Sequence, residues 1–265
     1  MTATERLRRE PPRFRLVAVR RVQHLTPRMV RVTLAGDELA GLAVEQPAAS
    51  VRMLLPSPGS DDLVVPHWNG NEFLLPDGRR PAIRTFTPWR VDPDELELDI
   101  GVVVHGGGVA SEWAQSARPG DSAAISGPGR GYAVDHDARA FLVAGDETAL
   151  PAISQVLEAL PAEAAVQVRV ELGHADGRLE LPARGGETGI EWCVVAPGAA
   201  PGEALGTAVR DAELTPDTRV WVAGEAAGVQ RIRRHLFEER GIPRARTAVR
   251  GYWKHGRAGD GGEGE

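Results

Sequence analysis

Cysteine and long apolar runs are scarce or absent in this chain of 265 residues, and each of these two absences excludes a class of protein. The single cysteine, Cys193, excludes a framework of internal disulfides, and its place in an apolar run predicts a small buried hydrophobe. No run of about 18 apolar residues is present, which argues against a membrane-spanning helix. Residues 1–13 are rich in arginine but lack the apolar core of a secretion signal, so we expect a cytoplasmic protein.

The charge balance argues against nucleic acid as a partner. The formal net charge is −6 and the isoelectric point is about 5.7, whereas a general nucleic-acid binder needs a basic surface. Lys and Arg total 31, yet Lys254 is the only lysine among them. With 42% hydrophobic residues, the chain can build one large core or two ordinary ones.

Short alternating apolar stretches without intervening helices fill the first half of the chain. They are separated by Gly- and Pro-rich segments, the longest of which spans residues 57–81. Strands linked in this way predict an antiparallel Greek-key barrel, which we expect to span residues 10–135. The stretches concerned are 14–22, 29–34, 51–55, 84–87 and 96–104.

Strands alternate with helices from Arg139 onward, which predicts a doubly wound parallel-sheet α/β domain over residues 138–256. The segments 190–196 and 219–223 are the most apolar and are therefore expected to be buried inside the sheet. Residues 257–265 are rich in Gly and acidic side chains, and we expect them to be disordered. The other predicted strands are 140–144, 166–172 and 247–252, and the predicted helices are 147–160, 203–211 and 226–240.

Two segments of the barrel are candidates for anion binding. Arg84-Thr85-Phe86-Thr87 offers a guanidinium and two hydroxyls on one strand, and an Arg fork can bind two phosphate oxygens at once. His105-Gly106-Gly107-Gly108 leads into a helix at 109–117, where glycines and free amides favour a phosphate. An ordinary strand with one exposed Arg and a simple Gly-rich turn remain the alternatives.

The order of these and later motifs resembles that of siderophore-interacting proteins, which are FAD-binding ferric-siderophore reductases of the ferredoxin-reductase superfamily. The resemblance covers nearly the whole chain except its two ends and the loop before Arg84. The motifs that carry it are 84–87, Asp99 to Gly106 with Trp113, Arg118-Pro119-Gly120-Asp121, Gly127-Pro128, 145–152, Trp221-Val222-Ala223-Gly224-Glu225 and Gly251-Tyr252-Trp253-Lys254.

This resemblance implies that FAD lies on the barrel and that NADH or NADPH approaches from the α/β domain. The family usually carries Tyr where this chain has Phe86, so one hydroxyl hydrogen bond, worth on the order of 1 kcal/mol, is absent from the expected flavin site. The residues that the resemblance assigns to FAD are Arg84, Thr85, Phe86, Thr87, Asp99, Val102, His105, Gly107, Gly108, Ala110, Ser111, Thr148 and Trp253.

The second domain lacks a Gly-x-Gly-x-x-Gly turn. Gly145-Asp146-Glu147-Thr148 stands in its place, and the two carboxylates would repel a pyrophosphate at the helix start. Helix capping explains Asp146 and Glu225 equally well. The residues that the resemblance implies on the nicotinamide side are Asp146, Glu147, Gly224 and Glu225.

The tail at 250–256 combines two aromatic residues with basic side chains, and the resemblance implies that it returns toward the flavin. Arg52, Arg250 and Lys254 are expected to attract an anionic ferric siderophore. Solvated surface cations are the alternative for Arg52 and Lys254.

The resemblance therefore implies a reductase that passes electrons from NAD(P)H through FAD to Fe(III)-siderophores and so releases Fe(II). We expect the protein to be a monomer. No protein acid or base is required for this chemistry, so we name no catalytic residue and no metal ligand. Two alternatives stay open: a flavin-dependent oxidoreductase that serves a ferredoxin or a quinone, and a ferric-siderophore-binding protein without reductase activity of its own.

Overall fold

The first half of the chain forms strands because its apolar side chains recur at alternate positions. The computed structural model describes residues 13–256 except 58, 61, 183 and 185. The elements of this half are β1 (Arg15–Thr26), β2 (Met29–Ala35), β3 (Val51–Leu55), β4 (His67–Trp68), β5 (Phe73–Leu74), β6 (Ala82–Phe86), β7 (Pro88–Asp92), β8 (Glu97–Val103), α1 (Val109–Ser116) and β9 (Ser122–Ser126).

These strands form an antiparallel sheet in the order β6-β3-β9-β1-β2-β8-β7, and β4 pairs with β5 as a separate hairpin. Strands β6 and β7 lie at opposite edges of the sheet, yet Thr87 alone separates them along the chain. The sheet must therefore curl until its two edges meet. Its inner face buries Val32, Leu34, Leu98 and Ile100. The predicted antiparallel barrel is confirmed.

Strand β7 is not predicted by the sequence pattern. It begins at Pro88, and proline removes a donor from the hydrogen-bond ladder. The barrel tolerates it because β7 pairs with β8 alone, which places the proline on an edge strand.

The second half of the chain alternates strands with helices, as predicted. Its parallel sheet has the order β12-β11-β10-β13-β14. The elements are β10 (Ala140–Asp146), α2 (Leu150–Ala159), β11 (Ala165–Leu172), β12 (Thr188–Val194), α3 (Glu203–Arg210), β13 (Arg219–Glu225), α4 (Ala226–Arg234) and β14 (Thr247–Trp253). A short 3-10 turn, Glu147–Ala149, precedes α2, and a π-helical segment, His235–Glu239, extends α4.

Helices cover both faces of this sheet. Ile153 and Leu157 of α2 pack with Val143 on one face, whereas Leu205 of α3 and Ile232 of α4 share a second core on the other face. The prediction of a doubly wound α/β domain is thus confirmed.

The expectation that residues 190–196 are fully buried is wrong. Strand β12 lies at the edge of the sheet and has one neighbour, so Ile190 and Val194 remain 41% and 42% exposed. Cys193 on the same strand is a free cysteine that is only half-buried, and partial burial raises the pKa of its thiol to about 11. The prediction of a small buried hydrophobe therefore holds only in part.

Within the part of the chain that the structure describes, no helix has the length and apolarity needed to cross a bilayer. The predicted disorder of residues 257–265 concerns positions that lie outside the described residues.

Candidate functional site

The junction between β6 and β7 lies against the second domain. The side-chain amide of Gln155 on α2 donates to the carbonyl of Pro88 at 2.7 Å and accepts from the amide of Ala48 at 2.9 Å. The hydroxyls of Thr87 and Tyr252 are 3.4 Å apart. The strand that carries the predicted flavin motif therefore ends at the boundary between the barrel and the α/β domain.

An ion pair between a half-buried arginine and a buried glutamate also joins the two domains. The guanidinium of Arg28, in the turn between β1 and β2, donates through Nε to both carboxylate oxygens of Glu147 at 3.1 and 3.0 Å. Glu147 is 6% exposed and also accepts from the amide of Gly173 at 3.0 Å. Instead of offering a free carboxylate to a nicotinamide, Glu147 is held by these domain contacts. Sequence reasoning missed Arg28, because a turn arginine carries no motif.

Arg250 makes a second link of this kind. Its guanidinium donates to the carbonyls of Ala48, Arg130 and Gly131, at 3.4, 3.0 and 2.6 Å. Ala48 precedes strand β3 of the barrel, and Arg130 and Gly131 follow β9, the last strand of the barrel. The structure therefore places this predicted substrate residue in the domain contact, where its charge binds carbonyl oxygens.

The register of β6 against β3 sets which side chains of the flavin motif share a face. Arg84 lies opposite Met53, whereas Thr85 lies opposite Arg52. Because successive strand residues point to opposite faces, Arg84 shares a face with Phe86 and not with Thr85. The side chain of Thr85 therefore lies on the face of Arg52, away from Arg84, and the hydroxyl of buried Thr87 lies beside Tyr252. The joint binding of one ligand by Arg84 and Thr87 stays a prediction.

The Gly-rich turn before α1 is open to a ligand. Gly107 and Gly108 have φ values of +132° and +95°, which favour glycine, and a Cβ built on Gly107 would meet nothing within 4 Å. The hydroxyl of Ser111 donates to the carbonyl of His105 at 2.8 Å and accepts from its amide at 3.0 Å. Ser111 is 1% exposed, so it holds the turn in shape while the glycines and exposed His105 face outward.

The remaining barrel residues assigned to FAD differ in accessibility. The side chain of Val102 is 2% exposed and packs in the barrel core, which leaves its main chain as the part that can meet a ligand. Asp99 is half-buried and accepts a hydrogen bond from Thr33 at 2.6 Å. Ala110 packs partly against the same core.

Asp146 is the most heavily bonded carboxylate among those predicted to border the nicotinamide. It accepts from the amide and hydroxyl of Thr148 at 2.9 and 2.5 Å, from the amide of Glu225 at 2.8 Å, and from the indole of Trp253 at 2.7 Å. It is 6% exposed, and burial raises the pKa of its carboxyl to about 6. The resemblance assigns Thr148 and Trp253 to FAD, but in the structure the Thr148 hydroxyl and the Trp253 indole donate to Asp146.

Gly224 makes room for that carboxylate. A Cβ at Gly224 would lie 2.6 Å from Oδ2 of Asp146, and its φ of +154° is unfavourable for other residues. Two residues predicted for the nicotinamide side therefore pack directly against each other, where they join the ends of β10 and β13.

Lys254 lines a shallow cleft at the carboxyl edge of the parallel sheet. Beside it, Glu225 is 6% exposed and accepts from the amide of Gly228 at 2.7 Å, which caps α4, and from the amide of His255 at 3.2 Å. The cleft has a volume of about 320 Å³ and is lined by Glu225, Ala226, Ala227, Gln230, Lys254 and His255.

Arg52, the other predicted substrate residue, lies on β3 of the barrel, where it pairs with Thr85 of β6 on one side and Ser126 of β9 on the other.

Known proteins match this chain along both domains. The family described as siderophore-interacting FAD-binding domain matches residues 18–132, and the family described as siderophore-interacting protein matches residues 138–256. The crystal structure of a siderophore utilization protein from T. fusca is similar with a TM-score of 0.82 and 36% sequence identity. The similarity covers 94% of this chain and 95% of that one.

Two curated relatives bear names that state an activity. The NADPH-dependent ferric-chelate reductase of Escherichia coli is 30% identical, over 91% of this chain and 93% of its own length. The ferric vibriobactin reductase ViuB of Vibrio cholerae is 29% identical, over 92% of this chain and 90% of its own length.

Proposed function

Because the chain belongs to the siderophore-interacting protein family, we propose that it reduces the Fe(III) of ferric siderophores with electrons taken from NAD(P)H through FAD. Its general class is that of an FAD-binding oxidoreductase with a nicotinamide cofactor. The nicotinamide donor and the siderophore substrate are the parts that we propose, supported by relatives named as ferric-chelate and ferric vibriobactin reductases.

One observation carries the proposal: the strand that contains the predicted flavin motif ends in contact with the second domain. Strand β6 carries Arg84 and Phe86, both half-buried, on one face, and Thr87, which follows the strand, lies beside Tyr252. The open turn at Gly107 and Gly108 offers glycine backbone to a phosphate at the start of α1. These residues fit a dinucleotide, because a guanidinium and a glycine turn are two separate anion sites.

The chemistry that a bound FAD would supply is two-electron exchange with NAD(P)H and one-electron transfer to iron, so that one nicotinamide would suffice for two ferric ions. The chain itself supplies binding and orientation. Arg84 would hold a phosphate, and the ring of Phe86 would pack against the cofactor. The fixed domain contact through Arg28 and Arg250 would keep the two binding surfaces in one arrangement.

Substrate capture is proposed to depend on charge. Lys254 is exposed in the cleft beside α4, and Arg52 lies on β3 next to Thr85. Many ferric siderophores are anionic, and local cations on a protein of net charge −6 can attract them selectively. Ferrous iron is bound more weakly than ferric iron by hard oxygen ligands, so reduction releases it.

The experiment that tests the proposal follows purified protein loaded with FAD. NADH or NADPH is added with a ferric siderophore and a ferrous-specific chelator, and formation of the ferrous complex is measured. We expect iron release that requires both flavin and nicotinamide. Flavin reduction without iron release would favour a ferredoxin or quinone as acceptor, and binding of the chelate without flavin reduction would favour a binding protein.

Lys254→Ala is expected to raise KM for an anionic ferric chelate by about three- to tenfold, because one attractive charge is removed from the cleft. FAD content and folding should change little, since an exposed lysine contributes little to stability. The increase should shrink at high salt and be small for a neutral chelate. Steady-state kinetics on both chelates at two salt concentrations, with Lys254→Arg as the charge-retaining control, measure this. Equal, salt-independent losses on both chelates would contradict a role in sensing charge.

Phe86→Tyr is expected to leave FAD affinity unchanged or to increase it by up to about fivefold, because the ring is kept and one hydroxyl is gained. A fluorescence titration of apoprotein with FAD gives the dissociation constant. Phe73→Tyr, in the β4–β5 hairpin, is the matched control. Loss of FAD from the Phe86→Tyr variant would show that the site is packed around Phe and has no room for the hydroxyl, which would contradict the proposed alignment of this strand with the flavin motif.

A further inference from the structure

We infer that Asp146 is a positioning residue that fixes the tail 253–255, and with it the charge of Lys254, by holding the indole of Trp253. The inference rests on the proposed function, because it assigns the placement of a substrate-binding cation. It makes Asp146 neither a nicotinamide contact nor a catalytic group.

The end of β14 needs such an anchor because its pairing with β13 is irregular. Gly224 pairs with Gly251, but the next pair is Glu225 with Trp253, so Tyr252 is an extra residue on β14. A bulge of this kind interrupts the ladder and redirects the side chains beyond it. Side-chain contacts must then hold the residues that follow.

Two buried carboxylates provide those contacts, one on each side of Lys254. Asp146 accepts the indole N–H of Trp253 at 2.7 Å, and Glu225 accepts the main-chain amide of His255 at 3.2 Å. Both carboxylates are 6% exposed. Lys254 itself is exposed, so its ammonium is free to meet a ligand while its main chain is held at both neighbouring positions.

Asp146 is also bonded to the strand that carries Glu225. Oδ2 of Asp146 accepts the amide of Glu225 at 2.8 Å, and the absence of a side chain at Gly224 allows this approach. Asp146 thus joins the ends of β10, β13 and β14 at one point. Burial raises the pKa of the Asp146 carboxyl to about 6, and the four hydrogen bonds that it accepts offset part of the cost of burying its charged form.

Trp253→Phe tests the tether with the smallest change, because it keeps an aromatic ring and removes the N–H donor. We expect the dissociation constant of an anionic tris-catecholate ferric chelate to rise about fivefold or more. Trp192→Phe is the matched control, since Trp192 lies on β12 at the opposite edge of the same sheet. It should leave the chelate affinity unchanged.

The bond can also be observed without turnover. In the wild type, the indole N–H resonance of Trp253, assigned by its loss in Trp253→Phe, should exchange slowly with solvent. Asp146→Asn should speed that exchange, because asparagine replaces one acceptor oxygen by an NH2 group that cannot accept a hydrogen bond from the surrounding donors. In the Trp253→Phe background, Asp146→Asn should weaken chelate binding less than about twofold further, because residues acting through one bond are not additive.

An unchanged chelate affinity in Trp253→Phe, or fast indole exchange in the wild type, would overturn the inference. Fully additive effects of the two substitutions would overturn it as well. A wild type that binds no ferric chelate would refute the proposed function and the substrate side of the inference together. In that case the exchange measurement still tests the hydrogen bond between Trp253 and Asp146 without any chelate.

Discussion

Arg28→Ala is expected to lower the free energy of unfolding by about 2–3 kcal/mol, because it removes the counter-ion of a buried carboxylate. The substitution leaves the carboxylate of Glu147, which is 6% exposed, with the amide of Gly173 as its remaining described partner. A buried charge without its counter-ion is costly, although the 35% exposure of the Arg28 side chain places the effect at the lower end.

Chemical denaturation of the Arg28→Ala variant measures this loss. Because Arg28 and Glu147 belong to different domains, the variant should also unfold less cooperatively, with the two domains separating into distinct transitions. Arg90→Ala is the control, since its ion pair with Asp92 is exposed and worth less than about 1 kcal/mol. A loss no larger than that of the control would mean that the pair does not couple the domains.

Arg84→Ala is expected to weaken FAD binding by about 10- to 100-fold, because a charge-assisted contact to phosphate is worth about 1.5–3 kcal/mol. The purified variant should lose its flavin on gel filtration, while the wild type should retain it. The flavin released from the wild type by heat should be FAD, since Arg84 and the Gly107 turn are suited to a dinucleotide.

Arg80→Ala is the matched control for this measurement. Arg80 is an exposed arginine four residues earlier that forms an ion pair with Glu72. Its removal should leave FAD affinity unchanged. FMN in the wild type, or equal FAD affinity in the wild type and the Arg84→Ala variant, would contradict the placement of the cofactor.

The architecture was predictable because hydrophobic periodicity carries it. Alternation over residues 29–34 and the apolar segment 219–223 became β2 and β13, nearly at the predicted bounds. The burial of 190–196 could not be predicted in the same way. The composition of an apolar segment does not show how many strands will pair with it in the sheet, and β12 pairs with one strand only.

The candidate site was predictable by residue type more than by role. The sequence singled out Asp146, Glu147 and Arg250, but Glu147 and Arg250 bind groups of the first domain. The side chain of Asp146 joins strand ends within the second domain. Strand alternation separates Arg84 from Thr85, a consequence that the tetrapeptide itself already contained. Arg28 carries no local signal, because its partner lies 119 positions away along the chain.

The most direct test of the proposed reaction is an anaerobic measurement of iron against nicotinamide. FAD-loaded protein is mixed with a limiting amount of NADPH or NADH, an excess of ferric siderophore and a ferrous trap. The account predicts about two ferrous ions for each nicotinamide oxidised, and none when FAD is omitted. Oxidation of the nicotinamide with no ferrous iron formed, or no oxidation of either nicotinamide, would contradict it.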